Sequence, residues 1–166
     1  MNMEQTLDIL KQALLMEKRG HSFYSAVALH TNNPEVKKIF QIMADEETTH
    51  IKFLSEQFSS IKKNQAFDIT DLPENPGTFT TLILSDEVMK NISSAGYEAA
   101  AITAAIDMEK KAIDIYGKQA EITTDPQEKS LFTWLGNWEK GHLKILNDLD
   151  NELKEKIWFD SQFWPF

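Results

Sequence analysis

The chain of 166 residues contains no cysteine. Disulfides, thiolate zinc sites, iron–sulfur clusters and a nucleophilic thiol are therefore excluded from its chemistry. The chain is also poor in basic residues, because 17 Lys and Arg stand against 26 Asp and Glu, which gives a formal charge of −9. Since nucleic-acid binding relies on clustered Lys and Arg, this balance argues against a nucleic-acid partner.

Long apolar runs are absent as well. No stretch of about 18 apolar residues occurs, so no membrane-spanning helix is predicted. The N-terminal stretch MNMEQTLDILKQALL carries acidic residues where a secretory signal has a basic start and an unbroken apolar run. With 42% hydrophobic residues, the chain is long enough for one domain with a sizeable core. A single cytoplasmic domain over residues 1–166, without a membrane partner, is therefore predicted.

Only five prolines interrupt the chain, and their positions predict where its helices begin. Asn33-Pro34 and Asp125-Pro126 each place a good N-cap residue before a proline at the first helical position. The stretch QAFDITDLPENPGTFT has turn chemistry and no helical period. The remaining long segments are predicted helices, at about 3–30, 34–60, 94–122 and 126–154.

The four predicted helices pair into two antiparallel hairpins, because only a few residues separate the first from the second and the third from the fourth. A long connection at about 61–93 joins the hairpins, and its segment LSDEVMKNI is predicted to form a short extra helix. This order predicts an all-α four-helix bundle. An aromatic tail at 155–166 either folds back over the bundle or forms a dimer contact.

An internal repeat relates the two hairpins. Sliding the chain by 92 residues aligns TNNPEVKKIFQIMADEETTHIKFL with TTDPQEKSLFTWLGNWEKGHLKIL, and residues 13–54 and 105–146 share 14 identities in 42 positions. Random pairing would give roughly two or three. The chain is therefore predicted to be a duplicated hairpin, with copies at about 1–60 and 94–154.

Ionisable residues recur in both copies on faces that are otherwise apolar. Glu47 and His50 interrupt the apolar seam of the second helix, and Glu139 and His142 interrupt that of the fourth at the same spacing. Burying charges without partners is very costly, so these side chains need a partner inside the bundle.

The first and third helices each add one acid to the same level, among small residues. Four carboxylates and two neutral imidazoles balance the charge of two divalent cations, and hard oxygen ligands with one nitrogen per ion suit iron or manganese. The predicted ligands are Glu17, Glu47, His50, Glu109, Glu139 and His142.

This arrangement resembles the di-iron carboxylate site of ferritin-like proteins, and within that superfamily the rubrerythrins. The residues that carry the resemblance are Glu17, Glu47-Thr48-Thr49-His50, Glu109 and Glu139-Lys140-Gly141-His142, together with Tyr24 and Tyr116 seven residues after the first and third acids. The resemblance covers about residues 10–150. It implies a ferritin-like bundle that binds two iron ions, with manganese or a mixed pair as alternatives.

The resemblance also implies a role for each residue. Glu47 and Glu139 are the expected bridging carboxylates, and each imidazole supplies one nitrogen. Glu17 and Glu109 are the expected terminal carboxylates, and the hydroxyls of Tyr24 and Tyr116 are expected to hydrogen-bond to carboxylates and orient them. Rubrerythrins typically carry a further Glu one turn after the third-helix ligand; this chain has Ala112 there and lacks the residue used in their redox-driven ligand shift.

Two functions follow from the resemblance. The first is an oxidoreductase that reduces hydrogen peroxide or dioxygen in oxidative-stress defence, and the alternative is an iron-binding protein that oxidises and sequesters iron. The chain lacks the cysteines of a rubredoxin domain, so electrons are expected from an external donor such as a rubredoxin-like protein. A homodimer is expected.

Other polar residues are predicted to lie outside the site. His21 and His30 lack a Glu at the ligand spacing and are predicted to be solvated or capping, with an outer position near Glu17 left open for His21. Residues off the apolar seams are predicted to form a solvated face: Asp45, Glu46, Asp107 and Asp114. Met16 and Met108 are predicted to pack beside the acids, since thioethers suit softer metals.

Overall fold

The computed structural model describes residues 3–72 and 96–160, with side chains as far as Glu155. This part of the chain contains four α-helices and no strand, which confirms the predicted all-α class. The helices are α1 Met3–His30, α2 Pro34–Asn64, α3 Tyr97–Ile122 and α4 Pro126–Asp160. The helix predicted in LSDEVMKNI and the end of the aromatic tail lie outside the described residues. None of the described helices is long and apolar enough to cross a membrane.

The second helix of each hairpin begins where the Asx-Pro pairs predict. The Asn33 side chain accepts hydrogen bonds from the backbone N–H groups of Glu35 and Val36, at 2.9 and 3.1 Å. The Asp125 side chain accepts the matching pair from residues 127 and 128, at 2.8 and 3.0 Å. Each cap satisfies amide groups that have no partner inside the helix, and the proline that follows fits the first turn.

Two helices run past their predicted ends. α2 continues to Asn64, beyond residue 60, because Ile61 packs in the core, and the helix stops where Gln65 takes a left-handed conformation. α4 continues to Asp160, since Leu153 is buried and the sequence has no proline or glycine between residues 142 and 164. The connection predicted from residue 61 and the tail predicted from residue 155 therefore both begin inside helices.

A polar layer divides the core of the bundle into two apolar clusters. α1 packs along α2 and α3 along α4, as the hairpin prediction requires. On α2, Phe40 and Met43 belong to one cluster and Leu54 to the other, and on α4 Leu146 and Leu135 are divided in the same way. The residues between these cluster members include the predicted acids and histidines.

Candidate metal centre

The structure brings all six predicted site residues into one buried layer. Each of the four helices contributes one acid from its inward face, and α2 and α4 each add one histidine. Every one of the six is at most 3% exposed: Glu17, Glu47, His50, Glu109, Glu139 and His142. Four acids at such depth repel each other and are poorly solvated, so the layer has the electrostatics of a cation site.

The layer contains two overlapping groups of ligand atoms. In each group, one nitrogen or oxygen atom per residue lies within 4.8 Å of all the others. The first group is Glu17, Glu47, His50 and Glu139, and the second is Glu47, Glu109, Glu139 and His142. Both groups contain Glu47 and Glu139, one from the second helix of each hairpin. A carboxylate shared by two ligand groups has the position of a bridge between two ions.

The two imidazoles point the same ring atom at the carboxylates. Nδ1 of His50 lies 2.9 Å from Oε2 of Glu17 and 3.2 Å from Oε1 of Glu139. Nδ1 of His142 lies 3.0 Å from Oε2 of Glu139 and 3.3 Å from Oε1 of Glu109. The ring centroids are 6.2 Å apart. One nitrogen donor therefore serves each group.

Several buried atoms of this layer have no hydrogen-bond partner, and their chemistry fits a pair of divalent cations. Among the described residues they include Oε2 of Glu47, both carboxylate oxygens of Glu139 and Nδ1 of His142. Buried polar atoms are normally satisfied, and unsatisfied ones call for an explanation such as an ion. Hard carboxylate oxygens with one imidazole nitrogen per ion suit iron or manganese.

Two tyrosines tie the carboxylates of one hairpin to the other. The Tyr24 hydroxyl on α1 donates to Oε1 of Glu109 on α3, and the Tyr116 hydroxyl on α3 donates to Oε1 of Glu17 on α1. Both tyrosines are at most 1% exposed. Each hydrogen bond holds a carboxylate that belongs to only one ligand group and so orients it.

Burial raises the pKa of two acids of the layer, Glu109 and Glu47. It raises the pKa of Glu109 to about 7, with the charge of Glu139 adding to the effect. Burial also raises the pKa of Glu47 well above its ordinary value, with further contributions from Glu17 and Glu139. Without metal, the raised pKa values of Glu47 and Glu109 therefore favour protonated carboxyl groups, and metal binding has to displace these protons.

The pKa values of the two imidazoles and of Glu139 shift in opposite directions, because the charged forms of these groups attract each other. Burial alone lowers the pKa of His50 and of His142, but nearby carboxylates outweigh it and raise both values well above the ordinary one. Burial alone raises the pKa of Glu139, but the positive charges of the neighbouring His50 and His142 outweigh it and lower the pKa. Metal binding therefore has to displace protons from both imidazoles.

Glu46 corrects the sequence prediction, which assigned it to the solvated face. Its side chain is only 11% exposed, and Oε2 accepts hydrogen bonds from Nε2 of His142 at 2.6 Å and from Nε1 of Trp138 at 2.9 Å. With Nε2 as the donor, Nδ1 of a neutral His142 has a free lone pair directed at the layer. A carboxylate behind a ligating histidine fixes the tautomer and orients the ring.

The other histidine has a different neighbour at the matching position. Trp138 is the residue that the 92-residue repeat aligns with Glu46, and its ring meets the ring of His50 edge to face at 4.9 Å. Trp134 lies against the same imidazole at 5.4 Å. Nε2 of His50 is buried and has no hydrogen-bond partner among the described residues. Of the two matching histidines, His142 is therefore hydrogen-bonded to a carboxylate, whereas His50 packs against two tryptophan rings.

The remaining polar residues lie outside the layer. His30 is exposed and its Nδ1 lies 2.8 Å from the Ala26 carbonyl oxygen at the end of α1, so the capping prediction is confirmed. His21 is half-buried and belongs to neither ligand group. The prediction of an exposed position is confirmed for three acids: Asp45, Asp107 and Asp114. The two methionines predicted to pack beside the acids are half-buried.

Comparison with known proteins agrees with this geometry. The rubrerythrin family model matches residues 8–150, a range that contains all six residues of the layer and both tyrosines. The chain matched no curated protein and no solved structure. Because the match covers most of the chain, the chain belongs to the rubrerythrin family.

Proposed function

We propose that the protein binds two iron ions in the buried layer and uses them to reduce hydrogen peroxide or dioxygen. The observation that carries the proposal is the overlap of two ligand groups through Glu47 and Glu139. This overlap supports Glu47 and Glu139 as bridges, Glu17 and Glu109 as terminal ligands, and one Nδ1 ligand from each histidine. Family membership supports iron, and the oxygen-rich donor set also accepts manganese or a mixed pair.

When bound, two ferrous ions would supply two electrons, one each, which with two protons would convert hydrogen peroxide into two water molecules. The chain holds and orients the ligands for this reaction. Tyr24 and Tyr116 fix the terminal carboxylates, and Glu46 fixes the tautomer of His142. The apolar clusters cover the layer from both ends of the bundle.

The electron donor lies outside this chain in our proposal, because a redox site built from thiolates needs cysteine and the chain has none. A rubredoxin-like protein is the donor that we propose, and oxidative-stress defence in the cytoplasm, as a homodimer, is the setting. The alternative function is stoichiometric oxidation and retention of iron. It requires the same ligands but no donor, so the two functions differ in turnover.

The test is metal analysis followed by anaerobic reduction and rapid mixing with peroxide. We expect two iron ions per chain and fast reoxidation by peroxide, with repeated turnover when a reductant is supplied. Slow oxidation by dioxygen alone, with the iron retained, would select the sequestration alternative. Absence of metal under every loading condition would refute both functions.

The bridging residues provide the variants. Glu47→Ala and Glu139→Ala each remove a ligand from both groups, so we expect each variant to bind fewer than two ions while remaining helical. Glu56→Ala is the matched control, because Glu56 is an exposed glutamate on α2 outside the layer. Retention of both ions in either bridging variant would contradict the assignment.

A further inference from the structure

A cavity of about 330 Å³ lies beside the polar layer, between α1 and α3. Its floor consists of the four carboxylates of the layer. Met16, Met108 and Ile115 form its walls, and Arg19 and Lys111 lie at its rim. Arg19, Lys111 and Ile115 are exposed, so the cavity opens to solvent between the two helices.

The cavity exists because two matching positions of the repeat carry the smallest residues. Gly20 on α1 and Ala112 on α3 are 92 residues apart and both line it. A Cβ atom at Gly20 would lie 3.3 Å from Cδ and Oε1 of Glu47, so even a methyl group crowds the floor. Both helices therefore leave open space directly above the candidate bridging carboxylate.

This space is much larger than peroxide requires. A water molecule occupies about 30 Å³ in the liquid, so 330 Å³ corresponds to roughly ten waters, whereas hydrogen peroxide has two heavy atoms. The side chains of Met16, Met108 and Ile115 give the walls an apolar character that peroxide does not need. Apolar walls with a few placed polar groups are typical of sites for small organic molecules.

The rim carries two cations at matching positions of the repeat. Arg19 on α1 and Lys111 on α3 are 92 residues apart, and neither forms an ion pair with any residue that the structure describes. On a chain with a net charge of −9, two unpaired cations at one opening favour an anionic group there.

We propose that the cavity binds a small amphipathic monocarboxylate, with its carboxylate between Arg19 and Lys111 and its hydrocarbon chain between the methionines. The acidic floor determines the orientation, because it repels an anionic group and accepts an apolar end. The inference deepens the proposed function, since two divalent ions would offset the four negative charges of the floor and strengthen binding. The apolar end of the ligand then lies nearest the metal pair.

Straight-chain carboxylates test this inference. Metal-loaded protein is titrated calorimetrically with butanoate, hexanoate and octanoate at fixed ionic strength, and with 1-octanol as the uncharged comparison. We expect one site per chain, affinity that rises with chain length, and weaker binding of the alcohol. Equal binding of octanoate and 1-octanol would overturn the anionic class, and no binding of any carboxylate would overturn the site.

Charge variants distinguish a specific carboxylate site at Arg19 and Lys111 from general electrostatic attraction of the anion to positive residues on these helices. In the double variant Arg19→Gln/Lys111→Gln we expect the octanoate affinity to fall roughly tenfold, which lies within the range for two exposed ion pairs. Lys18→Gln/Lys110→Gln is the matched control, because these exposed residues precede the rim cations on the same helices. Equal losses in the two double variants would overturn the inference.

Filling the cavity provides the final control. Ala112→Leu places a larger side chain in the cavity at a helical position that tolerates leucine, so we expect octanoate binding to be lost and the metal content to be kept. Metal content and peroxide reactivity are measured on the same samples. In the wild-type protein, two ions with peroxide turnover but no carboxylate binding would leave the proposed function standing and remove only this inference, and octanoate binding that persists in Ala112→Leu would also remove it. Carboxylate binding without peroxide reactivity would do the reverse.

Discussion

The two histidines of the polar layer show how single residues make a duplicated site unequal. They occupy matching positions of the repeat, yet Nε2 of His142 donates to Glu46, whereas the ring of His50 lies against Trp134 and Trp138. Carboxylate support makes an imidazole more basic and holds its ring in place. The ion bound by His142 should therefore be held more tightly than the ion bound by His50.

Replacing Glu46 by Gln tests this difference. The amide keeps a similar shape and an acceptor oxygen for the donors of His142 and Trp138 but removes the negative charge. We expect the affinity of one of the two metal sites to fall about 10- to 100-fold while the other changes little. Titration of metal-free protein with Co²⁺, followed by its visible absorption, resolves the two sites. Asp45→Asn, on the exposed neighbour, is the control, and equal weakening of both sites would contradict the prediction.

Gly20 makes a second prediction at the scale of one residue. In Gly20→Ala the added Cβ meets Glu47 at 3.3 Å, so the carboxylate has to shift, while alanine favours the helix by up to about 1 kcal/mol. We expect weaker metal binding without loss of stability in the metal-free protein. Gly117→Ala is the matched control, because a Cβ at Gly117 meets nothing within 4 Å. Unchanged metal affinity in Gly20→Ala would show that Glu47 tolerates the displacement.

The sequence predicted the six residues of the layer but assigned Glu46 wrongly, and the reason is geometric. Helical periodicity shows which face a residue occupies, and Glu46 falls beside the apolar seam of α2. Its partners, His142 and Trp138, lie on α4, and contacts between helices are not visible in the period of one helix. The repeat offered one clue, because it aligns Glu46 with Trp138. This difference between the copies lies where the site is asymmetric.

At the scale of elements, the sequence predicted the two helix starts that Asx-Pro pairs mark and the ends of α1 at His30 and α3 at Ile122. It did not predict the start of α3 at Tyr97, given as residue 94, or the ends of α2 and α4. Starts are specified locally, because Asn33 and Asp125 bond to amides two and three residues ahead. The end of α2 depends on the burial of Ile61 by residues distant in sequence. Gln57, inside α2, forms two hydrogen bonds with the backbone of Asp68 beyond the end of the helix, at 3.0 and 2.9 Å. The sequence does not reveal these bonds.

The cap of α2 gives a prediction at this scale. Asn33→Ala removes the acceptor for two amides of the first turn, so we expect a loss of about 1 kcal/mol in the free energy of unfolding. For a chain of this size that loss corresponds to a drop of roughly 2–4 °C in the melting temperature. Asn32→Ala is the matched control at the exposed neighbouring position, with an expected change near zero. Equal effects of the two substitutions would show that the cap contributes nothing specific.

At the scale of the whole molecule, the polar layer opposes the stability that the two apolar clusters provide. The clusters bury large side chains such as Phe40 and Phe132, and the layer between them buries four acids. Bound cations would offset this charge and stabilise the fold by mass action. The bundle is therefore expected to be more stable with metal than without, and the acids to limit the stability of the metal-free protein.

Glu109 tests this conflict, because its pKa of about 7 lies above its ordinary value of 4.5. A carboxyl whose pKa is raised by folding stabilises the fold while it is protonated, and this contribution is lost as the pH rises through about 7. Glu109→Gln has no proton to lose. At pH 8.5 with a chelator, the variant should therefore unfold at higher urea concentration than the wild type. Its free energy of unfolding should be higher by at most roughly 3 kcal/mol.

The same comparison at pH 5 fixes the sign of the effect. The advantage of Glu109→Gln should shrink there, because the wild-type carboxyl keeps its proton in the fold. Glu121→Gln, on the exposed face of α3, should show no such dependence on pH. With metal added the order should reverse, since the variant has lost a ligand and gains less from the ions. A variant less stable than the wild type at pH 8.5 without metal would mean that Glu109 supports the fold by itself, and that the layer does not need ions to offset its charge.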